Sequence, residues 1–214
     1  MIDVYVFGNA PPPVRNVTRD LRTLWVLEEC GLPYRLKPLD HARGELKGPA
    51  YLRVNPFGAI PSIDDEGFRL FESAAIVFYV AEKAGRLLPE GAHARALALQ
   101  WASAAINTVE PSMVELFFLD HFLADQPWAK DRRPAVAERV KTRLATLDAE
   151  LSKRPYVLGQ EFSAPDILMS TVLRIVQHTD LLDSAPSVEA YRARCEARPA
   201  WRRVLAEHQQ RLAA

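Results

Sequence analysis

The pair Glu72-Ser73 stands directly ahead of the apolar-periodic run AAIVFYVAEKA, and its residue types suit the two charged ends of a small zwitterion. A hydroxyl at a helix start can cap the chain, and the first free backbone N–H groups attract a carboxylate. An acid beside that hydroxyl suits an ammonium group. A plain N-cap next to a solvated acid is the alternative use of the same two residues. A second hydroxyl, Thr18, stands where another helix must begin, ahead of Leu21, Leu24, Leu27 and Cys30 at helical spacing. A hydroxyl hydrogen bond and the positive end of a helix both favour an anion over its protonated form. Thr18 is therefore a candidate hydroxyl donor to an anion, its own N–H and Asn16 being the alternative donors, and an ordinary N-cap role competes for its oxygen. Arg22, one turn in, either adds positive potential or forms a structural salt bridge.

Other chemistries find no purchase. Cys30 and Cys195 are the only cysteines, no Cys-x-x-Cys occurs, and Cys30 falls on the apolar face of its helix, where it reads as a small packed hydrophobe. The five histidines, at 41, 93, 121, 178 and 208, have no metal-like spacing, so no metal is expected. Glycine-rich phosphate loops, Gly-x-Ser-x-Gly and internal repeats are missing. Lys+Arg and Asp+Glu balance at 27 each, which gives no electrostatic case for nucleic acid or an anionic membrane. No apolar run is long enough to span a bilayer. The opening MIDVYVFGNA reads as a strand without a basic n-region, and two cysteines suit a reducing compartment, so the cytoplasm is the expected location.

The elements that must position these residues follow from pattern. With 214 residues, 49% of them hydrophobic, the chain has room for one large domain or two smaller ones. Asp3 to Phe7 is a strand, and a loop over Gly8–Val17 stiffened by three prolines leads to the first helix, which stops at Gly31. Tyr34 to Leu39 is a second strand. An irregular polar stretch follows over 40–54, with a short helix near Pro49 to Arg53. Asn55-Pro56-Phe57-Gly58 is a turn before a strand at Ile60-Pro61-Ser62-Ile63. Pro61 there must lie on an edge, at a strand start or in a cis bond. Asp64-Asp65-Glu66-Gly67 turns the chain into a strand over Phe68 to Phe71, and a helix over Ala74 to Ala84 stops at Gly85.

RLLPEG, residues 86–91, reads as a linker, and from Ala92 the pattern is helical. A long helix over Ala92–Leu123 carries Pro111, which should bend or break it near Thr108-Glu110. Gln126 to Arg133 reads as a loop, and Pro134 to Lys153 as an amphipathic helix buried through Val136, Val140, Leu144, Leu147 and Leu151. Ser163-Ala164-Pro165-Asp166 is a capping box, with Phe162 and Ile167 spaced for a hydrophobic staple. Helices over Ser187–Ala197 and Pro199–Leu212 close the chain.

Taken together, Asn55-Pro56-Phe57-Gly58, Ile60-Pro61, Glu72-Ser73, Ala75-Ile76 and Tyr79 resemble the second half of the thioredoxin-like domain of glutathione S-transferases. Thr18 to Glu29 resembles the first helix of bacterial members, where Arg22, Trp25, Leu27, Glu28 and Glu29 match and Thr18 takes the place of a serine. The box at Ser163–Asp166, with Tyr191, Arg198-Pro199 and Trp201, is similar to the helical C-terminal domain of that family. The resemblance covers essentially the whole chain. It implies a thioredoxin-like α/β domain over residues 1–84, a linker at 85–91 and an all-helical domain over 92–214.

For the site, the resemblance implies that Pro61 is cis and that Ile60 offers its backbone to the cysteinyl part of glutathione. Glu72 and Ser73 would hold the γ-glutamyl end. Lys47 sits where relatives contact the glycine end; a solvated surface lysine is the other reading. Ala59 replaces the long polar residue many relatives carry before the Ile-Pro pair. Asn107, Glu110, Met113 and Phe117, around the bend at Pro111, would line the second-substrate pocket, although Met and Phe at this spacing also serve as core. Relatives that use a reactive cysteine place it where Val17-Thr18-Arg19 stands here, so the thiol must come from the ligand. Lowering a thiol pKa of about 8.5 by about two units takes roughly 2.7 kcal/mol, within reach of a hydroxyl and a helix end together.

The expected activity is a glutathione-dependent transferase that activates the bound thiol for conjugation to a small hydrophobic electrophile. Disulfide or peroxide reduction at the same site, and a non-catalytic binding or regulatory role on the same scaffold, are the alternatives. A homodimer is expected from the family.

Overall fold

The computed structural model describes residues 1–213, which divide into two compact units: residues 1–88 together with those from 198 on, and residues 89–197.

The first unit is built on a four-stranded sheet in the order β2-β1-β3-β4. Strand β1 (Ile2–Phe7) runs parallel to β2 (Tyr34–Leu39), and helix α1 (Asp20–Cys30) crosses between them, as a parallel pair requires. Strand β3 (Ser62–Asp65) lies antiparallel to β1, and β4 (Phe68–Phe71) antiparallel to β3. Glu66 and Gly67 both take positive φ, 56° and 96°, which is the two-residue hairpin their types foreshadow. Strand β3 begins two residues later than its β-branched pattern suggests, because Pro61 has no N–H for a ladder; the Ile60-Pro61 bond is cis.

Helix α3 (Ser73–Ala84) returns beside α1, and the two pack together. The Tyr79 hydroxyl donates to Asp65 Oδ2 at 2.6 Å and pins α3 to the end of β3. Between β2 and β3 the short helix α2 (Pro49–Leu52) seats Tyr51 in a small core with Leu46, Val54 and Ile60. Gly58, at φ 58°, is required here: a Cβ would stand 2.5 Å from the Leu46 carbonyl oxygen. The last helix, α9 (Pro199–Ala213), packs against α1, where the Trp25 and Trp201 rings meet at 4.6 Å and Arg198 forms a two-point ion pair with Glu29.

The second unit is helical throughout. Helix α4 (Ala92–Ser103) runs through a wide, π-helical turn at Ala104–Val109 into α5 (Glu110–His121). Pro111 lies in the first turn of α5, so the expected break is a widened turn with the chain still helical. Helix α6 spans Pro127–Leu151. The loop expected over 126–133 is therefore wrong: Pro127 opens the helix, and Pro134 lies within it. Ion pairs from Arg132 to Glu115 and from Arg133 to Asp120 tie the early turns of α6 to α5.

All ten residues of α7 (Ala164–Leu173) are buried. Its start is the capping box read from sequence, with the Ser163 N–H donating to Asp166 Oδ2 at 2.9 Å. Asp166 also accepts from the Val157 N–H and the Tyr191 hydroxyl, both at 2.9 Å, which binds α8 (Pro186–Glu196) to the same carboxylate.

Candidate functional site

Register brings the candidate residues of the first unit to one end of the sheet. Tyr5, near the end of β1, pairs with Ser62, and Ser62 pairs with Phe71 at the end of β4. The cis-Pro61 step immediately precedes Ser62, and Glu72-Ser73 immediately follows Phe71. The start of α1 comes to the same end, since the Phe7 N–H donates to Asp20 Oδ2 at 3.1 Å. Two helix N-termini, of α1 and α3, thus lie side by side at this edge, and the positive end of each helix favours an anion.

The segment before Pro61 is held rigidly. Tyr51 Oη and Asn55 Nδ2 both donate to the Ala59 carbonyl, at 2.6 and 2.7 Å, and Tyr51 Oη also meets Ser62 Oγ at 2.8 Å. These bonds fix the backbone of Ile60, whose side chain is buried in the Tyr51 core. Exposed Lys47 donates through Nζ to the Phe57 carbonyl at 2.9 Å, on the same loop.

Ser73 differs from the simple cap its position suggests. It is the first residue of α3, with Glu72 in the cap position, and its buried Oγ accepts from Arg22 Nη1 at 3.1 Å. Glu72 is exposed and holds φ 71°, ψ 114°, a conformation non-glycine residues rarely adopt. Such a backbone costs about 1–3 kcal/mol, and strain of this kind concentrates at ligand sites. Sequence reading gave no sign of it, because Glu has no preference for positive φ.

Thr18 lies two residues ahead of α1 and makes no side-chain cap. Its hydroxyl meets His208 Nε2 at 2.9 Å in a buried contact. Half-buried Asn16 accepts from Gln209 Nε2 through Oδ1, at 2.8 Å. Helix α9 thus reaches both candidate donors, a feature sequence reading passed over. Its available signal was His208 on the buried stripe Trp201, Val204, His208, Leu212.

Burial pushes the Cys30 thiol up to about 11, with Arg86 opposing and Glu29 reinforcing, so this sulfur stays protonated at neutral pH. In the second unit, Met113 is wholly buried, Phe117 and Glu110 nearly so, and Asn107 is exposed. Phe117 packs against the rings of His121 and His178 at 4.5 and 5.5 Å. Among the described residues no group of three or more His, Cys, Asp or Glu is placed to hold a metal ion, and no helix is long and apolar enough to cross a membrane.

Comparison with known proteins agrees with this architecture. The family pattern described as "Glutathione S-transferase, N-terminal domain" matches residues 21–83, and "Glutathione S-transferase, C-terminal domain" matches residues 109–199. A probable glutathione S-transferase GSTF2 of Oryza sativa subsp. japonica is 32% identical over 88% of this chain and 90% of its own. The disulfide-bond oxidoreductase YfcG of Escherichia coli (strain K12) is 30% identical over 98% of this chain and 96% of its own. A crystal structure of a glutathione transferase family member from Pseudomonas fluorescens pf-5, with two glutathione bound, superposes with a TM-score of 0.84. That match has 27% identity and covers 95% of this chain and 92% of that one. The fold is a thioredoxin-like α/β domain combined with an all-helical domain. The chain belongs to the glutathione S-transferase family.

Proposed function

We propose that the protein is a glutathione-dependent transferase whose first unit binds reduced glutathione and favours its thiolate. The observation that carries this reading is the meeting, at one sheet end, of the cis-Pro61 step, Glu72-Ser73 and the start of α1. Ile60 would pair with the cysteinyl backbone through its own N–H and C=O. Glu72 would take the γ-glutamyl ammonium group, and the N-terminus of α3 the adjacent carboxylate, with Ser73 a second donor to it. Lys47 would offer charge to the glycine end. Thr18 would donate its hydroxyl proton to the sulfur, with its N–H or Asn16 as the alternative donor and Arg22 contributing positive potential.

In conjugation the thiolate attacks an electrophilic carbon, the C–S bond forms, and the leaving group departs with the bonding pair. Of the four residues expected around that electrophile, Asn107 is exposed and would reach it, whereas Glu110, Met113 and Phe117 are buried and would shape the wall from within. The electrophile would be small and hydrophobic. The first unit's domain role would extend over residues 1–84, with 85–91 as linker and the electrophile side supplied from 92–214. Symmetric pairing in the cytoplasm completes the reading; exposed Phe57 and Phe68 offer apolar surface for such a dimer.

The named activity of the Escherichia coli relative supports a second reaction at the same site. There the thiolate attacks a disulfide, one S–S bond is exchanged for another, and a thiolate leaves. A second glutathione then releases the product thiol as glutathione disulfide forms. Retention on immobilised glutathione, followed by assays with chlorodinitrobenzene and with a small mixed disulfide, separates the two activities. Retention without either turnover would favour a binding role, and no retention would overturn the glutathione assignment.

A further inference from the structure

We propose that His208, fixed in one tautomer by Arg211, is a positioning residue that turns the Thr18 hydroxyl into a proton donor toward the ligand. This rests on the reading of Thr18 as the group that faces the thiolate.

The direction of each bond follows from donor chemistry. Arg211 Nη2 lies 2.7 Å from His208 Nδ1, and a guanidinium has only donors. Nδ1 must therefore accept, and it carries no proton. In a neutral imidazole the proton then sits on Nε2. Nε2 is the atom 2.9 Å from Thr18 Oγ1, so the ring donates and the hydroxyl oxygen accepts. The Thr18 hydroxyl proton cannot be spent on His208, and no other acceptor for it occurs among the described residues.

The surroundings favour the same neutral ring. Burial pushes the His208 pKa below its ordinary value, and the Arg211 charge reinforces this, while the Asp20 carboxylate and the nearby Arg15 backbone oppose it. Arg211 is itself anchored: Nε donates to the Phe7 carbonyl at 3.2 Å, and Nη2 lies 3.4 Å from Asp20 Oδ2. Tyr34 and Glu207 also act electrostatically on Arg211. Asp20 in turn receives the Phe7 N–H, so the chain Phe7–Asp20–Arg211–His208–Thr18 links the end of β1, the start of α1 and helix α9. Without Arg211, the tautomer with the proton on Nδ1 becomes accessible, Nε2 becomes an acceptor, and Thr18 can donate inward.

Two measurements on the intact protein test this. In 15N-histidine-labelled wild type, the His208 ring should show a protonated Nε2 and an unprotonated Nδ1 near neutral pH. A protonated Nδ1 overturns the proposal without recourse to any variant. Second, the ultraviolet thiolate band of bound glutathione gives its thiol pKa in wild type, T18A, H208L, H208Q and the T18A/H208L double variant. H208L removes the donor that holds the Thr18 oxygen, so the hydroxyl is no longer oriented toward the sulfur. It is expected to raise that pKa by about one unit, T18A by at least as much, and the double variant no further than T18A alone. H208Q, whose amide N–H can replace the Nε2 donor, should return most of the shift. An additive double variant, or a T18A shift without an H208L shift, defeats the role of His208 while leaving Thr18 in place. A wild-type thiol that titrates like free glutathione, or one unmoved by T18A, instead removes the Thr18 reading on which the proposal stands.

Discussion

Arg22 Nη1 donates to Ser73 Oγ across 3.1 Å, and both side chains are buried. One bond therefore joins the first turn of α1 to the first residue of α3, at the edge where both helix N-termini meet. A hydrogen bond to a charged group is worth about 1.5–3 kcal/mol, and this one also fixes the rotamer of Ser73. R22M is expected to lower the unfolding free energy by about 2 kcal/mol in urea titration, with weaker glutathione binding. A Lys at the same place should recover little, because an ammonium lacks the guanidinium fork. An unchanged unfolding midpoint would show that the bond contributes nothing net.

Ser73 has a separable effect. S73A removes the Arg22 acceptor and a donor to the proposed γ-glutamyl carboxylate together. Glutathione affinity should fall about tenfold by calorimetry, equivalent to about 1.4 kcal/mol, with a smaller change in turnover at saturation. A wild-type dissociation constant would refute the binding role.

For Thr18 the expected split is opposite. T18A should reduce turnover by tenfold or more, on the order of one to two units of thiol pKa, and change glutathione affinity less. T18S keeps the hydroxyl and should retain most activity. Unchanged turnover in T18A would take the side chain out of the reaction and leave its N–H or Asn16.

The cysteines should be dispensable. Burial holds the Cys30 thiol up to about 11, and Cys195 is wholly buried, so neither sulfur is poised to react. C30S and C195S are expected to keep nearly full activity and to resist alkylation in the folded state. Lost activity in a variant that still folds would mean that a protein thiol takes part.

Asp120 gives the second unit an acid-sensitive joint. Burial alone would raise its carboxyl, but hydrogen bonds and charge from Arg133 and His178 prevail and hold it below the ordinary carboxylate value. A depressed folded-state pKa means stability that is present above the unfolded value of about 3.9 and is lost as pH falls through the folded value. D120A should cost about 1 kcal/mol at neutral pH, Arg133 being half exposed, and that cost should disappear in acid. A cost that persists unchanged under acid conditions would point to packing instead.

Local grammar explains what could be read in advance. The Glu66-Gly67 hairpin, the helix stops at Gly31 and Gly85, and the Ser163–Asp166 box are each specified by residues within a few positions of one another. Pro61 announced its own exception to strand pairing. Features set by partners distant in sequence were hidden. The first turns of α6 are paired with Glu115 and Asp120 of α5, and the Thr18 contact is with a residue 190 positions away. Ser73 resembles a cap in sequence because nothing nearby reveals that Arg22 claims its hydroxyl.

Soaking crystals in reduced glutathione and locating the sulfur is the most direct measurement. The expected result is the tripeptide lying across the Ile60-Pro61 step and Glu72-Ser73, with its sulfur in hydrogen-bonding distance of Thr18 Oγ1. A sulfur resting away from the start of α1, or no tripeptide density along that edge at saturating concentration, would contradict the proposal that the ligand supplies the reactive thiol and the protein its environment.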